Sequence, residues 1–190
     1  MSKIVLIGVF LSICSFSCFA QHWEKSYIIN LQNDTLFGFV NSNKYSFWEK
    51  ILFKETENDK HRVYYSNELK VYSYNNEIYY SIHLPKTITG IESYTFAKRI
   101  IEGNITLFHS KYRYSACSCE PEGAIGNGYI LLKKNEMLIV QKKSLNRKIK
   151  NKDEFSEFLS DNEELSSKIL NNQVDFNDIP KILVLYNEAN

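Results

Sequence analysis

The fold of this chain is decided most clearly by residues 71–84, which read VYSYNNEIYYSIHL. One face of the second half of this stretch carries Ile78, Tyr80, Ile82 and Leu84. Alternation with a period of two is typical of a β-strand, because successive side chains of a strand point to opposite faces. Asn75 and Asn76 separate the two halves, and asparagine favours tight turns because it tolerates a left-handed backbone. The stretch therefore predicts an antiparallel β-hairpin.

The same pattern recurs on both sides of this hairpin. The further predicted pairs and strands are residues 27–31 with 35–40 across Asn33 and Asp34, 94–101 with 104–109, 129–133 with 137–140, and single strands at 48–54 and 61–65. Gly38 lies within one of these strands and predicts a bulge or a close approach of another backbone. Consecutive hairpins indicate an antiparallel meander, whose apolar face must be hidden by closure into a barrel or by helices.

The hydrophobic period changes after Asn151. Asn151 and Glu154 match a capping-box pattern at the start of a helix, and Asp161 with Glu164 repeats it. A third helix is predicted by an apolar stripe with Pro180 in its first turn, where proline is tolerated. We therefore expect about three short helices that cover one face or end of the sheet.

These patterns predict the α+β class, as an antiparallel β-meander or partly closed barrel followed by about three short C-terminal helices. Residues 1–20 are predicted to be a signal peptide and residues 21–190 a single domain, β-rich over 26–141 and helical over 151–188. Only residues 142–150 offer a boundary within that domain.

The N-terminal segment indicates export. Lys3 precedes a short apolar run, and small residues lead up to Ala20, so signal peptidase would cut between Ala20 and Gln21. Serines interrupt the apolar run, which weakens it as a permanent membrane span of about 20 residues. The alternatives are an uncleaved anchor and a lipoprotein acylated at Cys14 or Cys18.

Composition excludes a disordered or polybasic chain. The sequence is 44% hydrophobic and has 23 basic against 22 acidic side chains. This balance argues against broad electrostatic binding to nucleic acid or anionic lipid, although it does not exclude local patches. The densest basic run, over residues 142–152, adjoins an acidic stretch at 153–164, which is typical of a solvated linker.

Cys117 and Cys119 are the most conspicuous chemical candidates. In an exported chain they predict a strained disulfide across a very small ring, or two inert thiols. A metal site completed by His109, with His83 as a further candidate ligand, is a second interpretation, but two cysteines one residue apart are less specific than two C-x2-C knuckles, and no second knuckle follows. A cysteine nucleophile activated by histidine is a third, and it requires a proximity that sequence does not give.

Other candidate motifs give weaker signals. Gly123, Gly126 and Gly128 lack the Lys-Ser/Thr ending and the following helix of a phosphate loop, so the segment is predicted to be a mobile connector. The four histidines show no zinc-protease spacing, and we expect no bound metal or other cofactor.

The aromatic content, 14% of the chain, offers one alternative function. Exported β-domains can use aromatic side chains as flat apolar platforms for sugars. Trp48, Tyr79 and Tyr112 are the candidates for such platforms, although cross-strand packing explains most aromatic residues without any ligand.

Several motifs together identify a resemblance. They are YIINLQNDT at residues 27–35 with Gly38, Gly103-x-Ile105-x-Leu107-Phe108, Phe155-x-x-Phe158-Leu159, and Tyr186-Asn187. On these motifs the chain resembles a group of uncharacterised exported proteins common in Bacteroidota. The resemblance spans most of the mature chain, implies an envelope or secreted location, and implies no catalytic activity. Cys117 and Cys119 are not part of the shared pattern.

The sequence therefore favours a non-catalytic envelope or secreted protein that binds another protein or an envelope polymer through one side of a curved sheet. Its expected location is the periplasm, the outer membrane or the medium, with no nucleic-acid partner and with membrane contact only through an uncleaved or lipidated N-terminus. The alternatives are a thiol-redox or hydrolytic enzyme that uses Cys117 or Cys119, and a glycan-binding β-domain.

Overall fold

A computed structural model describes residues 22–42, 48–114, 124–142 and 148–189. These residues form ten β-strands that belong to one antiparallel sheet. The strands are β1 (Glu24–Asn30), β2 (Thr35–Asn41), β3 (Lys50–Lys54), β4 (Arg62–Tyr65), β5 (Leu69–Tyr74), β6 (Glu77–Leu84), β7 (Ser93–Ile101), β8 (Ile105–Tyr114), β9 (Ala124–Lys133) and β10 (Glu136–Gln141). The α+β class is therefore confirmed, with more of the described residues in strands than in helices.

The helices are more numerous than the sequence predicts. A short helix joins β6 to β7, and the three expected helices follow the sheet. They are α1 (Lys86–Thr89), α2 (Lys152–Phe158), α3 (Glu163–Leu170) and α4 (Ile179–Ala189), with a 3₁₀ helix (Phe176–Asp178) directly before α4. The four residues of α1 are too short to show an amphipathic period, which is why the sequence does not reveal that helix.

The strand order is β10-β9-β8-β7-β6-β5-β1-β2-β3-β4. Every pair of consecutive strands is adjacent except β4 and β5, because β5 pairs with β1 instead. The sheet is thus two meanders joined through β1 and β5. It is not closed into a complete barrel, because β4 and β10 remain as edges.

The hairpin turns follow the prediction. β5 and β6 pair across Asn75 and Asn76, whose φ angles of 52° and 58° lie in the left-handed region. Gly38 marks a close backbone approach, since a Cβ there would lie 2.3 Å from the carbonyl oxygen of Lys54. The pairing of β1 with β2 is continuous through Gly38, so the alternative of a bulge is wrong.

Apolar side chains are buried on both faces of the sheet, but in different places. In strands β1, β2, β3 and β5 one face of the sheet is buried, and its cluster includes Ile28, Val40 and Phe53. Between β6 and β10 the opposite face holds a second cluster, which includes Ile82 and Ile130.

The helices bury a third cluster against β7 to β10. It joins strand residues to helix residues: Ile105, Leu107, Leu131, Val140, Phe155, Leu159, Leu165, Ile169, Ile179, Leu183 and Tyr186. The spacing of Phe155 and Leu159 in the sequence is therefore explained by the face of α2 that meets the sheet.

Of the two predicted helix caps, one is confirmed in position and one is wrong. Asn151 is the N-cap residue of α2, as predicted, and its Nδ2 donates to Glu154 at 2.9 Å, but its side chain makes no cap hydrogen bond to the backbone of the helix. It instead accepts from the backbone N–H of Gln141 and donates to the carbonyl of Ile139. In α3 the cap is Asn162, whose side chain accepts from the N–H of Leu165, and not Asp161.

The predicted mobile connector is also wrong for the residues that the structure describes. Gly126 and Gly128 belong to β9, where they pair with Tyr112 and Ser110 of β8. A Cβ on Gly126 would lie 2.8 Å from the ring of Tyr112. These glycines therefore make room for a buried tyrosine within the sheet, while Gly123 lies outside the described residues.

The basic segment after β10 returns to the sheet. The backbone N–H of Lys150 donates to the carbonyl of Gln141 at 2.7 Å, and Lys142 forms an isolated bridge with Ile149. Both ends of the predicted linker are thus held close together, while residues 143–147 lie outside the described residues.

Candidate functional site

In strands β1 to β6, one side of the sheet carries side chains that point away from the buried cluster of Ile28, Val40 and Phe53. We call it the outer aromatic face. The strand register assigns it Lys25, Tyr27, Ile29, Phe37, Phe39, Lys50, Leu52, Lys54, Val63, Tyr65, Val71 and Ile78. Each of these residues is exposed or half-buried, while Asn41, which the register places on the same side opposite Leu52, is buried.

Apolar exposure is strong at the centre and at the edge of this face. Phe37 is 74% exposed and Tyr65 is 51% exposed, and Val63 and Ile78 are also exposed. Large contiguous apolar surfaces are uncommon on soluble monomers, and they mark sites that bind proteins, ligands or membranes. The outer aromatic face is therefore the principal candidate for a binding surface.

The charge on the outer aromatic face has one sign. Its charged side chains are Lys25, Lys50 and Lys54, and the register places no acidic side chain on it. Lys25, Phe39 and Lys54 form one row across three strands. Acidic residues border the face in the turns beside it, at Glu55, Glu57 and Asp59 after β3 and at Asp34 before β2, and Glu49 and Glu68 lie where the face ends at Lys50 and Tyr65.

Cation–π contacts hold two of these lysines, Lys54 and Lys50, among aromatic rings. The Nζ of Lys54 lies 4.6 Å from the ring centroid of Trp23 and 5.7 Å from that of Phe39. The Nζ of Lys50 lies 6.0 Å from the ring of Tyr65. Such contacts keep an ammonium group beside apolar surface without removing its charge.

A groove of about 710 Å³ opens where this face ends at Lys50 and Tyr65. It lies at one end of the sheet, and its wall includes Trp48, Glu49, Ser66, Glu68, Ser93, Tyr94 and Arg113. Long-range hydrogen bonds build it: the N–H of Phe96 donates to the carbonyl of Trp48 at 2.8 Å, and the hydroxyl of Ser66 donates to the carbonyl of Tyr94 at 3.0 Å.

An ion pair crosses the floor of this groove. The Nε and Nη2 atoms of Arg113 lie 2.7 Å and 2.6 Å from Oε1 of Glu49, and the guanidinium lies over the ring of Trp48. Tyr94 is 43% exposed on one side of the groove, and Tyr65 lies on the other. The groove therefore combines exposed tyrosine rings with fixed charged groups.

The side of the sheet opposite the outer aromatic face is called the inner face. It carries a polar cluster whose side chains bond one another. Glu77 pairs with Lys98, and the hydroxyl of Tyr79 donates to Glu77 at 2.8 Å. The hydrogen bond from Lys98 lowers the pKa of Glu77. Burial, together with the Glu77 carboxylate, raises the pKa of Tyr79. The cluster links β6 to β7 and neutralises its own charges.

His109 pairs in register with Lys98 on the inner face. Burial lowers the pKa of His109, and the neighbouring Lys98 lowers it further. Its ring lies 5.4 Å from that of Tyr129, whereas His83 lies 3.1 Å from Glu92. The two histidines named as candidate metal ligands thus have separate partners.

The predicted sugar platforms are wrong. Trp48 and Tyr112 are 3% and 1% exposed, so neither offers a free ring. Tyr79 is stacked on Tyr72 with ring centroids 4.7 Å apart and planes 4° from parallel. Phe37 and Tyr65 are exposed instead, which the sequence does not reveal because aromatic and aliphatic residues alternate on both faces of these strands.

Other predicted site residues lie outside the described part of the chain. Cys117 and Cys119 fall between β8 and β9, and Ala20 and Gln21 precede β1. Within the described residues, no group of three or more His, Cys, Asp or Glu side chains could hold a metal ion. Nor does a helix in those ranges have the length and apolar character needed to cross a membrane.

Comparison with known proteins does not identify this site. No family model matches the chain, and no curated protein or solved structure is significantly similar to it. What the structure defines is an open antiparallel sheet with one helix-covered part and one solvent-facing aromatic part.

Proposed function

We propose that this chain is a non-catalytic binding module of the cell envelope or of the secreted fraction, which binds its partner through the outer aromatic face. The observation that carries the proposal is Phe37, 74% exposed in the middle of a face whose only charges are lysines. When a partner covers Phe37, the removal of that apolar surface from water stabilises the complex by about 25 cal/mol per Å².

The exposure of this face is not a general property of the sheet. On the same side of the sheet, farther along β6, Ile82 and Leu84 are 8% and 0% exposed. The fold can therefore bury this side where burial serves stability, and it leaves the part between β1 and β4 open. That contrast supports a binding role for the open part.

A sedimentation experiment tests the proposal. The exported full-length protein is mixed with isolated envelopes of the cells that produce it, and the bound fraction is measured against a variant with Phe37→Ser and Tyr65→Ser. We expect binding to weaken at least about tenfold, because two large apolar side chains are lost from the contact. The matched control is Val184→Ser with Leu185→Ser, which removes two exposed apolar side chains from α4. Equal binding by all three proteins would refute the proposal.

The export step rests on the N-terminal sequence. We infer that residues 1–20 form a signal peptide and that the mature chain begins at Gln21. Mass spectrometry of the exported protein tests this inference, and an intact Met1 in that fraction would contradict it.

The groove supports a second candidate function, glycan binding. Tyr65 and Tyr94 offer exposed rings for the apolar face of a sugar, and Glu49 and Arg113 offer groups that bond hydroxyls. We expect Tyr94→Ala to abolish binding of soluble oligosaccharides prepared from envelope polysaccharides. Tyr27→Ala, on the outer face but not in the groove wall, should leave that binding unchanged. Failure of the unmodified protein to bind any of these oligosaccharides would end this candidacy.

The cysteine hypotheses keep their own test. Thiol titration with and without a reductant, together with metal analysis, distinguishes a Cys117–Cys119 disulfide from a metal site and from free thiols. An enzyme that depends on Cys117 or Cys119 would lose its activity when both are changed to serine, and an unchanged rate would reject that alternative.

A further inference from the structure

We propose that the partner of the outer aromatic face is an anionic lipid surface, against which this face holds the folded chain. The inference rests on the proposed binding function and names the chemistry of the partner. It follows from three features: where the described chain begins, how lysines and aromatic rings are arranged, and which rival occupants the charge excludes.

The described part of the chain begins at this face. Trp23, at the start of the described chain, packs over Lys54 and lies 6.0 Å from the ring of His61. The apolar residues 4–13 precede it in the sequence. The outer aromatic face therefore lies where the described chain begins, shortly after the predicted leader in the sequence.

The arrangement of charge and rings matches the interface of a bilayer. Lysine has a long apolar stem and a charged end, so it can reach phosphate groups while its stem lies among apolar side chains. In the row of Lys25, Phe39 and Lys54, one lysine lies on each side of the phenylalanine. Tryptophan and tyrosine favour the same interfacial layer, and Trp23, Tyr27 and Tyr65 are available there. Each lysine near an anionic surface strengthens binding about fivefold.

Two rival occupants fit this face less well. A second copy of the chain, related by a two-fold axis, would bring the lysines of one face against the same lysines of the other, with no acidic side chain between them. A hydrated polysaccharide would set hydroxyl groups against the aliphatic side chains of Val63 and Ile29, which cannot bond them. Hydrocarbon below a layer of phosphate satisfies both the apolar and the cationic residues.

Tryptophan reporters test the orientation. In the full chain with Trp23→Phe, we introduce Phe37→Trp or, as the control, Leu185→Trp, which lies on α4 and is 53% exposed in the parent. The remaining native tryptophan, Trp48, is buried and common to both. Vesicles of phosphatidylcholine and phosphatidylglycerol in a 3:1 ratio (about 25% anionic lipid) carry bromine on their acyl chains and quench tryptophan that enters the bilayer.

We expect strong quenching at position 37 and none at position 185. This readout does not depend on whether the N-terminus itself is anchored, because an anchored chain that does not lie on its outer face would leave both reporters unquenched. That result would overturn the lipid proposal.

A charge-reversal pair tests the electrostatic part. Lys25→Glu with Lys50→Glu should weaken partition onto the same vesicles by at least about tenfold, whereas Lys181→Glu on α4 should not change it. Equal partition of the parent protein onto vesicles of pure phosphatidylcholine would overturn the proposal. If envelope binding depends on Phe37 and Tyr65 while these vesicles are not bound, the lipid proposal fails and the binding function stands. If neither surface is bound through the face, both fail.

Discussion

The side-chain amide of Asn187 pairs with the backbone of Ile105 as a neighbouring strand would. Its Oδ1 accepts from the N–H of Ile105 at 2.9 Å, and its Nδ2 donates to the carbonyl of Ile105 at 3.0 Å. Gly103 makes this contact possible, because a Cβ there would lie 2.4 Å from the same Nδ2. The segments around Gly103 and Asn187 thus meet in space and fasten the last helix to β8.

Asn187→Ala should lower the free energy of unfolding by about 2 kcal/mol, since both backbone groups of Ile105 lose a half-buried partner. Gly103→Ala should also destabilise. The double variant should lose less than the two single changes together, because alanine at 187 leaves room for the new methyl group. Urea unfolding measures all three. Asn171→Ala, which changes an exposed amide, is the control, and strict additivity of the Gly103 and Asn187 changes would contradict this account.

Gly38→Ala should cost more than Gly103→Ala. The new Cβ at position 38 would lie 2.3 Å from a backbone oxygen, that of Lys54, which moves only if the pairing of β2 with β3 moves. We expect a loss of about 3 kcal/mol in the free energy of unfolding. Thermal and urea unfolding of the two glycine variants side by side measure the difference, and a smaller loss at Gly38 would show that the strand pair adjusts freely.

Tyr186→Phe should destabilise the contact between α4 and the sheet by about 1 kcal/mol. The hydroxyl of Tyr186 donates to Asp161 at 2.6 Å, and the Nζ of Lys133 lies 2.8 Å from the same oxygen. Removal of the hydroxyl leaves that ion pair in place, which keeps the loss small. Tyr94→Phe, at an exposed ring, serves as the control. If Tyr186→Phe has the same free energy of unfolding as the parent protein, the hydroxyl does not stabilise the fold.

Stability should fall as the pH is lowered below 6.5, and His109 should account for part of this fall. Burial lowers the pKa of His109 from the ordinary 6.5. In the interval between the lowered value and 6.5 the unfolded chain binds the proton more readily than the folded chain, so the free energy of unfolding decreases with decreasing pH there. His109→Gln should flatten this dependence.

Unfolding measured from about pH 7.5 to about pH 5 isolates this effect, because carboxylates titrate mainly below that range. The pKa of Glu77, lowered from 4.5 by its hydrogen bond with Lys98, acts in the same direction only at more acidic pH. Asn127→Gln changes an exposed residue of β9 on the side of the sheet that carries His109. This variant should keep the pH dependence of the parent protein. An unchanged slope in His109→Gln would refute the assignment.

The local elements of this fold could be predicted because their causes are local. The hairpin of β5 and β6 needs only a period of two and two asparagines in left-handed conformation, all within residues 71–84. The apolar stripe of α4 likewise spans a few turns. Caps were less predictable, since Asn151 matches a capping box but uses its side chain to bond β10, a strand that sequence spacing does not place beside it.

The candidate site could not be predicted in the same way. Phe37 and Phe39 alternate with Leu36 and Val40, so both faces of β2 read as apolar, and the pattern does not say which face is covered. The groove joins Trp48, Ser66 and Tyr94, which are far apart in the sequence and meet only through hydrogen bonds between separate hairpins.

The sequence by itself determined the strands, their turns, the helical tail and an N-terminal segment with the pattern of an export signal, because each depends on the backbone preferences of neighbouring residues. Only the tertiary structure decided that β1 lies between β2 and β5, that Trp48 and Tyr112 are buried, and that Phe37 faces solvent. The physical reason is that burial is a property of packing between distant segments. A side chain in a strand is committed to one of two faces by its position, and which face meets water depends on everything else that packs against the sheet.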